Sequence, residues 1–517
     1  MATPTQLTPK QVRWTFTGLV LAMLLAALDQ TIVATALPTI VGELDGLEHL
    51  AWVVTAYMLA STIALPLYGK AGDVIGRKPV FVFAIVVFLV GSILAGLAQD
   101  MTQLIVYRAI QGVGGGGLMI GAQAIIADIV APRERAKYMG IIGGVFGLAS
   151  VGGPLIGGFL TDQIDWRWVF YINIPLGVVA LLTVIFALHA HTPTGPRKKV
   201  DVLGAALLAL TSTAIILVTS WGGSTYAWSS PVILGLGAGA VVGVALFILV
   251  ESLVEDPIVP LDLFRERNFV LPALVGLTTG IAMFIAISYL PTYLQMVNRV
   301  DATSSGLMMI PMTIGILISS VGTGRLIAST GRYKIYPILG TIVAIVGLVM
   351  LSFISATTSY WFTAAGMTVV GLGVGACMQN LTLIVQNSVA PAVLGTATSA
   401  QNYVRQIGAS LGIAVFGAVF IGRLTSEMAG TTIELAPGSG ELGLSSLTPE
   451  ILSMLPPPVQ DAIASAYAGA MPPVFLLAVP VLLVGLVLAF FIEERELAPR
   501  VARVDGPEAQ PAVEPAS

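Results

Sequence analysis

Charge is what this chain has least of. Of its 517 residues only 10% are Asp, Glu, Lys or Arg, against about 25% in a soluble domain that must cover its outside with groups water can solvate. A sequence this poor in charge cannot wrap a water-facing surface around a core, so most of its outside faces lipid. Cysteine is nearly absent as well. Cys377 stands alone inside an apolar run, which excludes a disulfide framework and a cysteine-based metal site. The net charge of −4 speaks against a nucleic-acid partner. Alternation of apolar and polar residues, the mark of a membrane β-barrel, is missing too.

What the chain does have is hydrophobicity in long pieces. It is 56% hydrophobic, with a mean hydropathy of +0.91. Runs of about 20 apolar residues recur, each long enough to cross the hydrocarbon core as a helix. The polar breaks between them predict fourteen spans: 14–36, 50–69, 79–98, 103–126, 138–160, 168–190, 202–221, 231–250, 269–296, 304–328, 335–354, 361–387, 396–424 and 472–492. The fold class is therefore an all-α polytopic membrane protein. The 56 glycines suit helices that approach one another closely in lipid. The first span is too long for a signal peptide and no small-residue cleavage site follows it, so it reads as a retained helix.

Lys and Arg collect on the cytoplasmic side of membrane proteins, which tests that count. With the N-terminus inside, nineteen of the 24 basic residues fall on cytoplasmic segments, among them Lys70, Arg77 and Lys78, Arg133, Arg135 and Lys137, and Arg325, Arg332 and Lys334. A missed helix would scramble this alternation. Both termini are expected in the cytoplasm.

The expected organisation is a cytoplasmic N-terminus (1–13), a six-helix bundle (14–200), two additional helices (201–251), a cytoplasmic linker (252–268) and a second six-helix bundle (269–495), followed by a disordered tail (496–517). The second bundle carries a long external loop at 425–471, within which one short surface helix is expected. An internal repeat supports two halves. GKAGDVIGRKPVF (Gly69–Phe81) reappears as GRLIASTGRYKIY (Gly324–Tyr336), and residues 111–119 are echoed by 370–378.

A charge inside a membrane is costly enough to require a reason. Asp29, in LAALDQTIVATALP, is the acid placed well inside the first span; it can hold a proton or a cation, or serve as a structural acid paired with an arginine. Arg108, in LIVYRAIQGVGGGG, is the matching cation, either tuning proton affinity or tying two helices together. Arg405, in QNYVRQIG, is a second buried cation with the same two readings. Gly112–Gly117 matches GxGxxG, but inside a membrane helix this means close packing rather than a dinucleotide loop. His189 and His191 do not share a helical face, so no metal site is expected. No nucleophile–base constellation and no Walker motif appears, so the chain reads as neither an enzyme nor an ATP-driven pump. Gly147–Leu160, with its glycines and Pro154, reads as a smooth, bendable helix that serves tight packing, a gate against leak during exchange, or both.

Together these strings resemble the major facilitator superfamily, and within it the fourteen-helix drug:proton antiporter family of the EmrB/QacA type. Asp29–Pro38 is similar to the family's first-helix motif. Gly69–Lys78 is similar to the signature loop between helices two and three, with Asp73, Gly76 and Arg77. Arg108, Gln111 and Gly112 fit the fourth-helix motif. Gly153, Pro154, Gly157 and Gly158 fit the antiporter motif of helix five, with Ala149 where a glycine is usual, and Trp166–Gly177 fits the entry to helix six.

The resemblance implies two six-helix bundles with an extra pair between them and a cavity opening alternately to each side. It implies proton coupling through Asp29 and Arg108, and a cytoplasmic latch of Gly69, Asp73, Gly76 and Arg77 against the basic loop near Arg133. Cavity candidates at midplane depth are Gln30, Trp52, Tyr57, Gln123, Phe284, Tyr289, Tyr293, Gln379 and Arg405. The function implied is proton-coupled efflux of amphipathic, cationic drugs or dyes across a bacterial cell membrane by a monomer, with no cofactor and with protons and a small molecule as partners. The alternative is a dedicated exporter of one endogenous antibiotic, siderophore or lipid.

Overall fold

The computed structural model describes residues 9–44, 49–188, 201–223, 225–428 and 456–497, and among these there is no β-strand. The helices are α1 (Pro9–Leu44), α2 (Leu50–Ile75), α3 (Arg77–Gly96), α4 (Met101–Ile129), α5 (Pro132–Gln163), α6 (Trp168–Tyr171) and α7 (Asn173–Ala187). Then come α8 (Val202–Trp221), α9 (Pro231–Leu253), α10 (Arg267–Val297), α11 (Ala302–Met308), α12 (Ile310–Thr330) and α13 (Ile335–Leu351). The last are α14 (Tyr360–Ser388), α15 (Leu394–Met428), α16 (Pro457–Ala470) and α17 (Pro472–Phe490).

Among the described residues, thirteen helical segments are long and apolar enough to cross a bilayer. The seventeen residues of α13 rise about 26 Å at 1.5 Å each, which fills the remaining expected span. This is a multi-pass membrane protein. In lipid every backbone donor and acceptor must be satisfied within the segment, which is why the chain answers with helices throughout.

The helices gather as the repeat suggests. In the first half α4 is wedged between α2 and α3, while α1 lies on α5 and α7. In the second half α14 takes the place of α4, wedged between α12 and α13, and α10 lies on α15. Glycine makes both wedges possible: a Cβ at Gly112 would overlap the Tyr57 carbonyl, and one at Gly371 the Met312 carbonyl. The run that matches GxGxxG is thus a helix contact. Gly76 joins α2 to α3 at φ 108°, and its repeat partner Gly331 ends α12 at φ 74°. Both angles suit glycine rather than a side-chain-bearing residue.

The two halves meet where α5 packs on α12 and α2 on α15. The additional helices α8 and α9 pack on each other, and α8 also reaches α2 and α15. It is tied to α15 by Ser212–Tyr403 (2.7 Å) and Thr219–Ser410 (2.8 Å) hydroxyl pairs.

Of the long external loop, residues 425–428 close α15, and α16 is a short helix with two faces: Ile463, Ala466, Tyr467 and Ala470 are buried, the Tyr467 ring edge-on against Phe420 of α15, while Asp461 and Ser465 are exposed. The spacing of the buried residues gives the helix one apolar face, and that face is used. Residues 429–455, His189, His191 and nearly all of the expected tail lie outside the described residues.

Candidate functional site

Four helices bring a closed polar cluster together inside the first half. Asp29 of α1 is fully buried, and its Oδ2 accepts from Arg108 Nη1 of α4 at 2.5 Å. Its Oδ1 accepts from Gln111 Nε2 (2.7 Å) and from Asn173 Nδ2 of α7 (3.0 Å). Arg108 Nη1 spends its other hydrogen on Gln111 Oε1 at 2.6 Å. The second hydrogens of Gln111 and Asn173 go to the Ser92 hydroxyl of α3, at 2.6 and 3.1 Å. The Tyr57 ring lies 4.3 Å from the Arg108 guanidinium carbon. The only acid and the only guanidinium in the cluster neutralise each other, so every charge has a partner.

Asp29 and Arg108 were recognisable from sequence as buried charges, and Gln111 as part of the same motif. Ser92 and Asn173 were not singled out. Ser92 is the one polar side chain of α3 beyond Lys78, and Asn173 interrupts the apolar entry to the sixth span; in each case the lone polar residue was the available signal.

A second constellation joins the halves at the ends of α2 and α15. Asp73 accepts from the backbone N–H of Gly395 (3.1 Å) and of Thr396 (2.7 Å), and from the Thr396 hydroxyl (2.8 Å). These N–H groups belong to the first turn of α15, where helix donors lack partners of their own, so Asp73 caps that helix from the opposite half. Arg77 pairs with Asp73 at 2.9 Å and with Asp128 at the end of α4. Gly69 admits Ser399 and the Gly395 carbonyl.

Arg133 sits elsewhere, which corrects the expected pairing. It donates to the Ala328 carbonyl at 2.9 Å and to that of Ser329, capping the opposite pole of α12. The acid therefore holds a helix N-terminus and the cation a helix C-terminus, as helix dipoles dictate. The sequence placed all these residues on one face but could not say which helix end each would meet.

α5 runs between the halves. Gly153 and Gly157 press on Thr31, Ile32 and Thr35 of α1, and Thr31 Oγ1 donates to the Ala149 carbonyl at 2.9 Å. Pro154 lies against Gly306 of α11, whereas Gly158 has only Thr303 nearby. Gly140, Gly143, Gly144 and Gly147 face α12. That last stripe, at helical spacing i, i+3, i+4 and i+7, was legible but not singled out.

The cavity candidates scatter. Gln123 and Arg405 meet along one seam: Gln123 Oε1 accepts from Asn402 Nδ2 (3.1 Å), and Asn402 Oδ1 accepts from Arg405 Nη2 (2.6 Å). Gln379 is buried beside Gly143. Gln30 is exposed and Phe284 half-buried. Trp52 sits two residues into α2 and stacks on Trp221 at the end of α8, so it is not at midplane depth. Tyr289 donates to Ile413 and Tyr293 to Ser355, both within the packed core of the second half. Tyr57 is closed in beneath Arg108. At the other end of the helices, Trp166 Nε1 (2.7 Å) and Arg167 Nη1 (2.6 Å) both donate to Glu43.

Residues 19–413 match the family model described as Major Facilitator Superfamily. The chain is 41% identical over 407 residues to Multidrug transporter protein MdtP of Bacillus subtilis, covering 79% of this chain and 75% of that one. It is 35% identical over 488 residues to Multidrug resistance protein 3 of the same organism, covering 92% and 94%. Among solved structures, the crystal structure of the human organic anion transporter MFSD10 (TETRAN) aligns with a TM-score of 0.61 at 15% identity, over 92% of this chain and 100% of that one, a likeness of fold. This chain belongs to the Major Facilitator Superfamily. It is a membrane transporter of small molecules, of the kind found among multidrug efflux proteins, and not an enzyme.

Proposed function

We propose that this protein is a proton-coupled multidrug exporter of the cell membrane, working as a monomer with both termini in the cytoplasm. The observation that carries the reading is the enclosed Asp29–Arg108 pair, with both partners buried and 2.5 Å apart. A proton arriving at Asp29 removes the negative half of that pair. Arg108 then sits buried without its counter-ion, and the helices around it shift to an arrangement that solvates or re-pairs it. α1 carries Asp29 and packs on α5, whose other face touches α12 of the opposite half. Protonation at Asp29 thus has a direct packed route to the seam along which the halves move.

The latches supply the second position. Asp73 on α15 and Arg133 on α12 hold the halves together on the face bearing the basic loops, so this arrangement is the one closed to the cytoplasm. Proton release would pair Asp29 with Arg108 again, and the gradient sets the direction. One charge moved through 100 mV is worth about 2.3 kcal/mol, enough to drive an uphill exchange. Asp29 faces Arg108 rather than an open path, so this acid is not what would draw a cationic drug inward.

The test is substrate-driven proton movement. Purified protein is reconstituted in liposomes containing pyranine, and an ethidium gradient is imposed at symmetric pH. Exchange predicts proton flux opposite to ethidium, absent from protein-free liposomes. Ethidium movement with no accompanying proton flux would contradict coupling.

A further inference from the structure

Three arginines are buried; Arg135 lies at the start of α5 and donates to the Ala127 carbonyl, and the two deep within the spans, Arg108 and Arg405, are treated differently by the fold. Arg108 has Asp29. Arg405 is 8% exposed, and among the described residues no carboxylate pairs with it. Its Nη2 donates to Asn402 Oδ1 at 2.6 Å, and its Nη1 has no acceptor. One turn earlier on α15, Gln401 repeats the pattern. Its Oε1 accepts from Thr382 Oγ1 (3.1 Å) and Asn402 Nδ2 (3.4 Å), which fixes the amide orientation and leaves Nε2 without an acceptor.

These two idle donors share a helical face, being four residues apart. Both lie against α10 where that helix is also stripped of side chains. A Cβ at Gly276 would stand 3.2 Å from Gln401 Nε2, and one at Gly280 3.0 Å from Arg405 Cγ. Arg405 is eleven residues into α15, about 16 Å from its start and so near the middle of a hydrocarbon core of about 30 Å. Through Asn402 and Gln123 it adjoins the seam between the halves. A guanidinium buried at this depth without a counter-ion is held at a cost, and such residues mark the path of a ligand. Two unpartnered donors on one helical face, one of them charged, are what an oxyanion accepts from.

We propose that Gln401 and Arg405 form the anion-recognition site of the transport path, and that the cargo is an amphipathic organic acid whose carboxylate takes the two free donors. The proposal rests on the exporter reading for the word cargo, but recognition itself is measurable without transport. An acid bound here supplies the counter-charge that Arg405 lacks, so the empty site prefers the acid over its own ester.

The experiment uses the full chain in lipid nanodiscs and follows thermal unfolding while titrating two pairs of probes: nalidixate with its methyl ester, and laurate with methyl laurate. The first pair represents a drug-like acid and the second a lipid-like one. The expected result is that at least one acid binds about ten- to a hundredfold more tightly than its ester, the worth of one charge-assisted hydrogen-bond set. Arg405→Met should erase that preference, Arg405→Lys should keep part of it, and Gln401→Leu should reduce it. Acids and esters that bind alike to the native chain would overturn the proposal, as would a preference that survives Arg405→Met. If Arg405→Met does not fold, a preference unchanged in both Arg405→Lys and Gln401→Leu overturns it instead. Acid preference in a protein that moves neither ethidium nor the preferred acid in the pyranine assay would leave this site standing and remove the exporter reading alone.

Discussion

A double-mutant cycle on Asp29 and Arg108 probes the buried pair most sharply. At 2.5 Å two unit charges attract by about 7 kcal/mol at an effective dielectric constant of 20. Much of that is offset by the cost of withdrawing both ions from water. Removing one partner leaves the other buried and uncompensated, which costs about 3–5 kcal/mol. Asp29→Asn keeps an acceptor for Gln111 and Asn173, so its loss is chiefly the charge opposite Arg108. Arg108→Met keeps a similar bulk over Tyr57 but strands the carboxylate. Each single variant should therefore lose about 3–5 kcal/mol, whereas the double variant strands no charge and should cost little more than one of them. Unfolding in mixed micelles by titration with dodecyl sulfate, read by tryptophan fluorescence, measures all three differences. Losses that simply add, within about 0.5 kcal/mol, would refute a direct pair.

Three further outcomes follow from the geometry. Asp73→Asn should weaken the cap on α15 by about 1–2 kcal/mol and open the basic-loop face five- to thirtyfold more often. The maleimide labelling rate of Ser399→Cys in a Cys377→Ala background reads this opening, and an unchanged rate would count against the latch. Gly153→Ala drives a Cβ into Thr31 and should cost about 1–3 kcal/mol. Gly158→Ala, whose nearest neighbour is Thr303 at 3.7 Å, should be tolerated; equal Tm losses in the two variants would contradict the packing of α5 on α1. Hydrogen bonds from Arg167 and then Trp166 hold the Glu43 carboxyl below its ordinary value of 4.5. A lowered carboxyl stabilises above its unfolded value and loses that contribution as pH falls through the folded one. Glu43→Gln should thus be slightly less stable than the native chain near neutral pH, by under about 1 kcal/mol, and equal to it in acid; a stability gap that persists in acid would contradict the pairing.

Most of the fold was legible because lipid imposes it: long apolar runs leave helices as the one way to satisfy the backbone. Even the polar-rich span 396–424 is a helix, Leu394–Met428, since its residues Gln401, Asn402 and Arg405 turn inward to the seam rather than to lipid. The repeat was legible as well, down to the paired turns at Gly76 and Gly331. What sequence could not supply were partners distant along the chain. Asp73 meets residues 322 and 323 positions away, and nothing local distinguishes the start of α15 from the loop at Arg133. Ser92 and Asn173 are polar residues in largely apolar helices, meaningful only when Asp29 is seen between them. Tyr289 and Tyr293 were expected to line a midplane cavity but lie on the packed side of α10, Tyr293 near its end and bonded to Ser355 beyond α13, because the hydrophobic pattern of a membrane helix does not separate its lipid face from its core face.

The central claim is that Asp29 couples the proton gradient to drug movement, and Asp29→Asn in proteoliposomes tests it most directly. The native chain should move ethidium against its gradient when a pH difference is imposed. The variant should lose that dependence yet still exchange internal for external ethidium at equal pH, since its substrate path and latches are intact. Gradient-driven accumulation that survives in Asp29→Asn would contradict the account and place coupling elsewhere in the chain.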